Sequence, residues 1–321
     1  MYTLTYVSTF ALQEASDLLA DAMLREIAVV ARARNNACGL TGYLVFENGF
    51  FLQTIEGPHA EVERVYESIA RDSRHRELTI LHHGAITERT FPSWGMTISV
   101  RRGGRREVAT VVAYLKARAH QAPATLPHEY FRDLLAPSRL ITTAANRGTE
   151  GALGAPLRIA LCSASTTWLA STFEHIAARF GDTLQKSRIA NPDGATEPVL
   201  FEYIDARGAS HSAIRVIGVS EGLLASQAAF PLMANLDLIV LLAGATENER
   251  YLDFVERLLA QTMPSQAPSS VLLVCPDLDA KFIPEVKALA DQQGASLALA
   301  VGSHVNGHAV WTHIDSWLRG K

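Results

Sequence analysis

Tyr6, Asn35, Gln53, Trp94 and Met96 are the side chains whose types and spacing could together do chemistry. Tyr6 brings an oxidisable phenol with an acidic proton. Gln53 lies in the apolar run Phe50-Phe51-Leu52-Gln53-Thr54-Ile55, where a buried amide costs on the order of 1–3 kcal/mol unless it is paired. Its carboxamide can exchange donor and acceptor ends by rotation or tautomerisation, which rewires hydrogen bonds without moving mass, as a switch requires. Asn35 offers an acceptor and a donor side by side. Trp94 and Met96 are two residues apart on one strand and share a face, and Ser8 points the same way as Tyr6. Taken singly, each has a plainer reading. Tyr6 could be a core tyrosine tied to a backbone group, Gln53 could turn to solvent, Asn35 could cap a helix C-terminus, and Trp94 with Met96 could be packing.

The elements that must position these groups follow from periodicity. Residues 2–8 alternate as a strand, and Glu14 to about Arg34 carries Leu18, Leu19, Met23, Leu24, Ile27, Ala28 and Ala31 at helical spacing. Leu40–Glu47 and Phe50–Ile55 read as strands joined by Asn48-Gly49, the dipeptide of a type I′ hairpin. Pro58 to Asp72 reads as an amphipathic helix through Val62, Val65, Tyr66 and Ile69, followed by strands at Leu78–His83 and Met96–Val100. The order βαββαββ predicts an α+β ferredoxin-like sandwich with two helices on one face of a sheet. Residues 107–119 and 125–136, split by Gln121-Ala122-Pro123, predict two helices that cap or extend this unit.

Five segments in this order carry a resemblance: Leu4-Thr5-Tyr6-Val7-Ser8, Arg34-Asn35-Asn36-Ala37-Cys38-Gly39-Leu40-Thr41-Gly42, Phe50 to Gly57, Asp72-Ser73-Arg74-His75 and Phe91-Pro92-Ser93-Trp94-Gly95-Met96. Over residues 1–100 the chain resembles the BLUF family, flavin-binding domains that sense blue light. The resemblance implies a non-covalent flavin, FAD being the usual choice and FMN possible, since no Gly-rich phosphate loop decides between them. It implies that Asn35 holds the flavin's pyrimidine edge, with Asn36 beside it. Gln53 would bridge the flavin and the Tyr6 hydroxyl, and light would drive reversible proton-coupled electron transfer from Tyr6 with a lasting Gln53 rearrangement. Trp94 and Met96 would exchange proximity to Gln53 and carry the signal outward, with Ser8 bonded into the network. Arg32 and Arg34 could meet the ribityl phosphate or suit the helix dipole. Asp72, Arg74 and His75 read mainly as capping and ion pairing, with flavin contact by Asp72 left open. In one departure, the stretch between Tyr6 and Asn35 is several residues longer than the family's, implying a longer loop around Thr9–Gln13.

The chain's 321 residues exceed one ordinary core, so two domains are expected. The divisions fall at 1–100 for the flavin-binding core, 101–136 for cap helices, 137–156 for an Ala-, Thr-, Gly- and Asn-rich linker, and 157–321 for a second domain. A net charge of −4 and a hydrophobic fraction of 48% fit a globular protein and do not advertise nucleic acid. The basic run Arg101-Arg102-Gly103-Gly104-Arg105-Arg106 reads as a solvated loop. Cys38, Cys162 and Cys275 lack the spacing of a disulfide framework or a zinc site. With no leader pattern and no apolar run of membrane-spanning length, the expectation is a cytoplasmic protein without a membrane partner.

In the second half, apolar runs at Arg158–Cys162, Val199–Ile204, Ser212–Val219, Asp237–Leu242, Ser270–Cys275 and Ser296–Val301 alternate with helical stretches, except for a hairpin through Asp205-Ala206-Arg207-Gly208. The pattern predicts a doubly wound α/β domain with one antiparallel hairpin. Residues 157–321 resemble the small Ras-like GTPases in this order, but not in chemistry. The phosphate loop reads Ser163-Ala164-Ser165-Thr166-Thr167-Trp168-Leu169-Ala170, without its glycines or lysine. The DxxG position is Val219-Ser220-Glu221-Gly222, and the NKxD position is Pro276-Asp277-Leu278-Asp279. No nucleotide hydrolysis is expected, although Ser163–Thr167 at a helix N-terminus leaves weak anion binding open. His304, His308 and His313 do not share a metal-binding face. The expectation is a non-enzymatic blue-light photoreceptor whose C-terminal pseudo-GTPase-like module engages an unknown partner protein, with a homo-oligomer possible. The alternatives are a non-photoactive adaptor with a vestigial flavin pocket and a light-regulated nucleotide enzyme.

Overall fold

The computed structural model describes residues 1–11, 17–101, 104–122, 124–137, 157–180, 184–190, 199–207, 213–226, 228–244, 249–262, 270–276, 281–301 and 307–319. Residues 12 and 13 of the loop expected at Thr9–Gln13, Pro123, the linker from 138 to 156, Gly208, residues 277–279 and His304 lie outside them, whereas Thr9 and Phe10 are not loop but the end of the first strand, where Thr9 pairs with Phe50. The chain divides into two compact units. One comprises Met1–Thr149 with Ser187–Val199, and the other Glu150–Lys186 with Leu200–Lys321.

In the first unit the elements run β1 (Tyr2–Phe10), α1 (Asp17–Ala37), β2 (Thr41–Glu47), β3 (Phe50–Gly57), α2 (His59–Ala70), β4 (His75–Ala85), β5 (Trp94–Arg101), α3 (Gly104–Gln121) and α4 (Pro127–Leu135). The strands lie in the order β4-β1-β3-β2-β5. The first four neighbours pair antiparallel in the ferredoxin-like manner, and β5 adds parallel to β2. The hairpin turn is the one its dipeptide demands, with positive φ at both Asn48 (44°) and Gly49 (89°). The outer edge of β5 pairs antiparallel with Ser187–Ala190, part of β7 (Gln185–Ala190), with Ile98 opposite Ala190 and Ser99 opposite Ile189.

Alternation sorts the strands' side chains onto two covered faces. On one face Leu24 and Ala28 of α1 pack with Phe10, Leu44, Phe46, Phe51, Trp94 and Met96. Val62 and Val65 of α2 pack on the same face with Leu4, Tyr6, Leu40 and Ile55. On the opposite face Phe131 of α4 meets Tyr43 and Phe91 edge-on at 5.0 and 5.5 Å. Arg118 of α3 is ion-paired to Glu129 and Asp133 of α4, which ties the two cap helices together. Burial on both faces explains why polar strand residues such as Thr3, Thr54 and Glu56 are fully covered.

Where it is described, at Arg101 and from Gly104 to Arg106, the basic run is not the loop its composition suggests. Arg101 ends β5 and Gly104 begins α3, while Arg105 lies over the Phe50 ring with its guanidinium carbon 5.0 Å from the centroid. A cation over an aromatic face is worth about 0.5–1 kcal/mol where solvent reaches it, so this arginine seats α3 on the β2–β3 hairpin.

The second unit contains β6 (Leu157–Cys162), α5 (Thr166–Phe180), β8 (Val199–Arg207), β9 (Ala213–Val219), α6 (Glu221–Ala225), α7 (Ala229–Met233), β10 (Leu238–Leu242), α8 (Glu249–Thr262), β11 (Ser270–Cys275), α9 (Ile283–Gln292), β12 (Ser296–Val301) and α10 (Gly307–Arg319). Its strands follow the order β8-β9-β6-β10-β11-β12, with β8–β9 antiparallel and the other neighbours parallel. Phe173 and Ile176 of α5 and Trp311 and Ile314 of α10 pack on Ile159, Leu161, Val240 and Leu242. Every residue of β10 is buried, as a central parallel strand covered on both faces should be.

Candidate functional site

A cleft of about 180 Å³ opens on the helix-covered face of the first unit. Ile27, Val30 and Ala31 of α1 and Val65 and Ile69 of α2 form apolar walls, with Leu44, Phe51 and Gln53 presented by the sheet. Polar groups meet the cleft at its margins: Arg34 and Asn35 from α1, Ser68 from α2, and Asp72, Arg74 and His75 from the turn into β4.

Gln53 sits where β3 is flanked on both sides, opposite Tyr6 of β1 and Leu44 of β2. Its side chain is buried, and the Tyr6 hydroxyl donates to its Oε1. That bond commits the carboxamide oxygen and leaves Nε2 as the end that can donate towards the cleft. Burial, with Tyr66 and Asp72 nearby, pushes the Tyr6 phenol well above the ordinary range, so it is a protonated donor at any physiological pH. Tyr66 meets the Tyr6 ring edge-on at 5.6 Å.

Asn35 is buried at 2% exposure although it lies in the last turn of α1. It does not cap that end. Gly39, at φ 64°, terminates α1 in a Schellman arrangement, with the Leu40 N–H on the Asn35 carbonyl at 2.8 Å and the Gly39 N–H on the Asn36 carbonyl at 3.1 Å. Backbone donors thus close the helix end without the Asn35 side chain, and Asn35 lines the cleft.

The turn after α2 supplies the charged margin. Asp72 accepts the Arg74 backbone N–H at 2.9 Å and its guanidinium at 2.5 Å. These hydrogen bonds hold the Asp72 carboxyl below its usual range and raise Arg74. His75 lies with its ring 4.6 Å from Phe51, and burial pushes it down to about 4 against the opposing pull of Asp72. Ser8 bonds His75, with its hydroxyl 2.8 Å from Nδ1, and is not joined directly to the Tyr6–Gln53 pair as the sequence suggests.

Trp94 and Met96 are buried beneath the cleft in the cluster with Leu44 and Phe51, and neither lines it. The Trp94 indole Nε1 has no hydrogen-bond partner among the described residues. Gly42 makes room for the ring. At φ 152°, a Cβ there would stand 2.0 Å from the Thr54 carbonyl oxygen and 3.2 Å from the Trp94 ring.

The remaining expected cofactor contacts are placed unevenly. Arg34 lines the cleft and its guanidinium reaches Ser68 at 3.4 Å. Arg32 is half-buried and Asn36 exposed, and neither is on the cleft wall. Phe51, Leu44 and Ser68 were not singled out in the sequence, although Phe51 shares the face of Gln53 by simple alternation. The donor set fits a flavin. Two buried carboxamides offer complementary donor and acceptor atoms beside apolar walls, and Arg34 and Arg74 add positive charge to the lining.

Residues 1–97 match the family described as sensors of blue-light using FAD. Over that span the chain carries the BLUF domain, the mark of a family of flavin-binding sensors of blue light that use FAD. Photoactivated adenylate cyclase subunit beta of Euglena gracilis is 40% identical over 96 residues, which are 30% of this chain and 11% of that protein. The blue light- and temperature-regulated antirepressor BluF of Escherichia coli (strain K12) is 32% identical over 75 residues, 23% of this chain and 19% of that protein. The chain thus spans a small part of the relatives it matches. The solved dark-state structure of BlrB, a BLUF protein, is 30% identical, covering 46% of this chain and 96% of that chain with a TM-score of 0.29. Among the described residues no helix is long and apolar enough to cross a membrane, and no group of His, Cys, Asp and Glu could hold a metal ion.

In the second unit, the Ser163 and Ser165 hydroxyl oxygens accept local backbone donors. Ser163 is buried and its Oγ accepts the Ser165 N–H at 3.0 Å, while Ser165 accepts the Trp168 N–H at 3.5 Å at the start of α5. Ser220 caps α6 by accepting the Leu223 N–H at 3.3 Å, and Glu221 pairs with Arg250. His308 lies 5.7 Å, ring to ring, from His175, in no group that could hold a metal among the described residues.

Proposed function

We propose that the chain is a blue-light photoreceptor whose Tyr6–Gln53 pair switches beneath a bound flavin. The observation that carries this reading is the Tyr6 hydroxyl bonded to the Gln53 carboxamide at the floor of the Asn35 cleft. Asn35 and the Gln53 Nε2 would hold the cofactor, FAD before FMN, with Arg34, Arg74 and Asp72 at its margin. Arg32 and Asn36 contribute less directly. When bound, the flavin supplies absorption of blue light and an excited state able to oxidise a phenol. Tyr6 is that phenol, and the proton it holds on Oη is already directed at Gln53 Oε1. Rotation or tautomerisation of the Gln53 carboxamide reverses which end faces Tyr6, and Trp94 and Met96 on β5 respond. Ser8 acts through His75.

The flavin core is assigned to 1–100, the cap helices to 101–136, the linker to 137–156 and a signalling module to 157–321. That module is read as a small-GTPase-like, doubly wound domain without phosphate chemistry, which engages a partner protein and turns over no substrate. The strand order β8-β9-β6-β10-β11-β12 and the locally satisfied Ser163 and Ser165 support this reading.

The test is an absorption spectrum of the purified protein in darkness and after blue illumination. An oxidised-flavin spectrum that shifts to the red and relaxes in the dark is expected. A colourless protein that takes up neither FAD nor FMN would leave the adaptor reading in its place.

A further inference from the structure

The face of the sheet behind the cleft carries a second buried constellation. Met96 faces the cleft side of β5, so its neighbour Thr97 faces the other, and both are covered. Thr97 Oγ1 lies 2.6 Å from the Tyr43 hydroxyl, a side-chain hydrogen bond between β5 and β2. The Tyr43 ring stacks on Phe91 at 5.6 Å and 16° and meets Phe131 of α4 edge-on. Phe91 is itself held in place, because its N–H donates to the buried Glu56 carboxylate at 2.9 Å.

The same helix has a second hold at the other side of the sheet. The β1–β4 register slips by one residue between Thr5 and Tyr6, from Thr5 opposite His82 to Tyr6 opposite Ile80. Leu81 is thereby the extra residue of a bulge beside Tyr6, and its carbonyl accepts the Tyr130 hydroxyl of α4 at 3.2 Å. Two consecutive residues of α4, Tyr130 and Phe131, therefore touch the sheet behind Tyr6 and behind Met96 respectively.

We infer that α4 is a lever that reads β5 against β1, with Tyr43 and Thr97 as the positioning residues that couple it to Met96. A displacement of β5 of more than a few tenths of an ångström stretches the 2.6 Å hydroxyl pair, and the closely packed Tyr43, Phe91 and Phe131 rings pass the strain to the helix. The Tyr130–Leu81 bond on the bulged strand is the pivot. This inference rests on the photoreceptor reading above, and names the route by which that site reaches the cap.

The experiment compares amide hydrogen exchange over residues 127–135 in darkness and under blue light, in the full chain and in Tyr43→Phe, Thr97→Val and Thr97→Ser. The unmodified chain should show a light-dependent change in exchange of about fivefold or more over α4, the lower end of ordinary coupling between sites. Tyr43→Phe and Thr97→Val should keep the red-shifted flavin product yet bring the change at α4 within about twofold, while Thr97→Ser, which restores a hydroxyl, recovers it. If the unmodified chain forms no photoproduct, the photoreceptor reading fails. If it forms one and α4 does not respond, or if Tyr43→Phe and Thr97→Val respond fully, the lever is wrong. Loss of the photoproduct in the variants would also overturn it, by placing Tyr43 and Thr97 at the chromophore.

Discussion

Tyr6 and Gln53 stand directly opposite each other on the antiparallel strands β1 and β3, and the phenol donates to the carboxamide oxygen. The backbone register thus delivers the donor–acceptor pair, and a one-residue slip would turn both side chains to the other face of the sheet. Replacing Tyr6 by Phe removes the donor and leaves a buried oxygen unpaired, at a cost of about 1–3 kcal/mol in unfolding free energy. Tyr6→Phe and Gln53→Ala should both retain flavin and lose the photocycle. A normal light-minus-dark difference spectrum in either variant would show that the pair does not switch.

Because Gly39 ends α1, Asn35 is dispensable for the helix and committed to the cleft. We expect Asn35→Ala to change the melting temperature of the flavin-stripped protein little, as its effect lies within about 1 kcal/mol, while cutting flavin retention about tenfold. The ratio of flavin to protein absorbance after gel filtration, set beside a circular-dichroism melt, separates the two. A large loss of stability with flavin still bound would assign Asn35 to the fold.

His75 gives the first unit an acid-side dependence. Its folded pKa is lowered from 6.5 to about 4, so the unfolded chain binds the proton first as pH falls. Stability is complete above 6.5, declines from 6.5 towards 4, and levels off for this group below that. The slope approaches about 1.4 kcal/mol per pH unit at most. Asp72, whose carboxyl is lowered from 3.8, weakens the fold only below that window. Urea titrations of the full chain and His75→Gln at pH 7 and pH 5 check this, since the variant should lose most of the difference.

Gly42 is a position where size, not polarity, decides. A Cβ placed 2.0 Å from the Thr54 carbonyl cannot be absorbed by a rotamer change, because the obstacle is backbone. Gly42→Ala should destabilise by about 3 kcal/mol or more and disturb Trp94, read as a lower urea midpoint and altered tryptophan fluorescence. A variant as stable as the parent would mean that β2 and β3 separate more readily than their register implies.

In the second unit, the loop 163–167, which has neither the glycines nor the lysine that hold phosphates, predicts that purified protein turns over neither GTP nor ATP. Measurable phosphate release, abolished by substitution in the loop 163–167, would instead revive a nucleotide enzyme.

Much of the first unit was legible because local rules agreed with the fold. Asn48-Gly49 dictated the hairpin, the hairpin set Gln53 in register, and alternation put Phe51, Gln53 and Ile55 on the face that α1 and α2 cover. What escaped was non-local. Arg105 reads as one more charge in a basic run, and only the docking of α3 reveals the Phe50 ring beneath it. Ser8 shares a face with Tyr6 but bonds His75, because β4 reaches β1 through two register shifts that no turn residue announces. Tyr43 reads as an ordinary strand tyrosine until Thr97, 54 positions later, arrives beside it. The strand at Gln185–Ala190 has weak apolar alternation, and its partner lies far back in the chain.

That last pairing bears on how the sensor can be dissected. Ser187–Ala190 occupy the outer edge of β5, so the compact first unit is not one continuous stretch of chain. A fragment cut at residue 149 would bare the N–H and C=O groups of Ile98–Arg101, an invitation to pair with the same edge of another molecule. Sedimentation of such a fragment at two concentrations should show self-association that a version carrying residues 185–190 as a tethered strand suppresses. Light responses recorded on the short fragment would then describe two molecules stitched edge to edge, and not the native surroundings of β5.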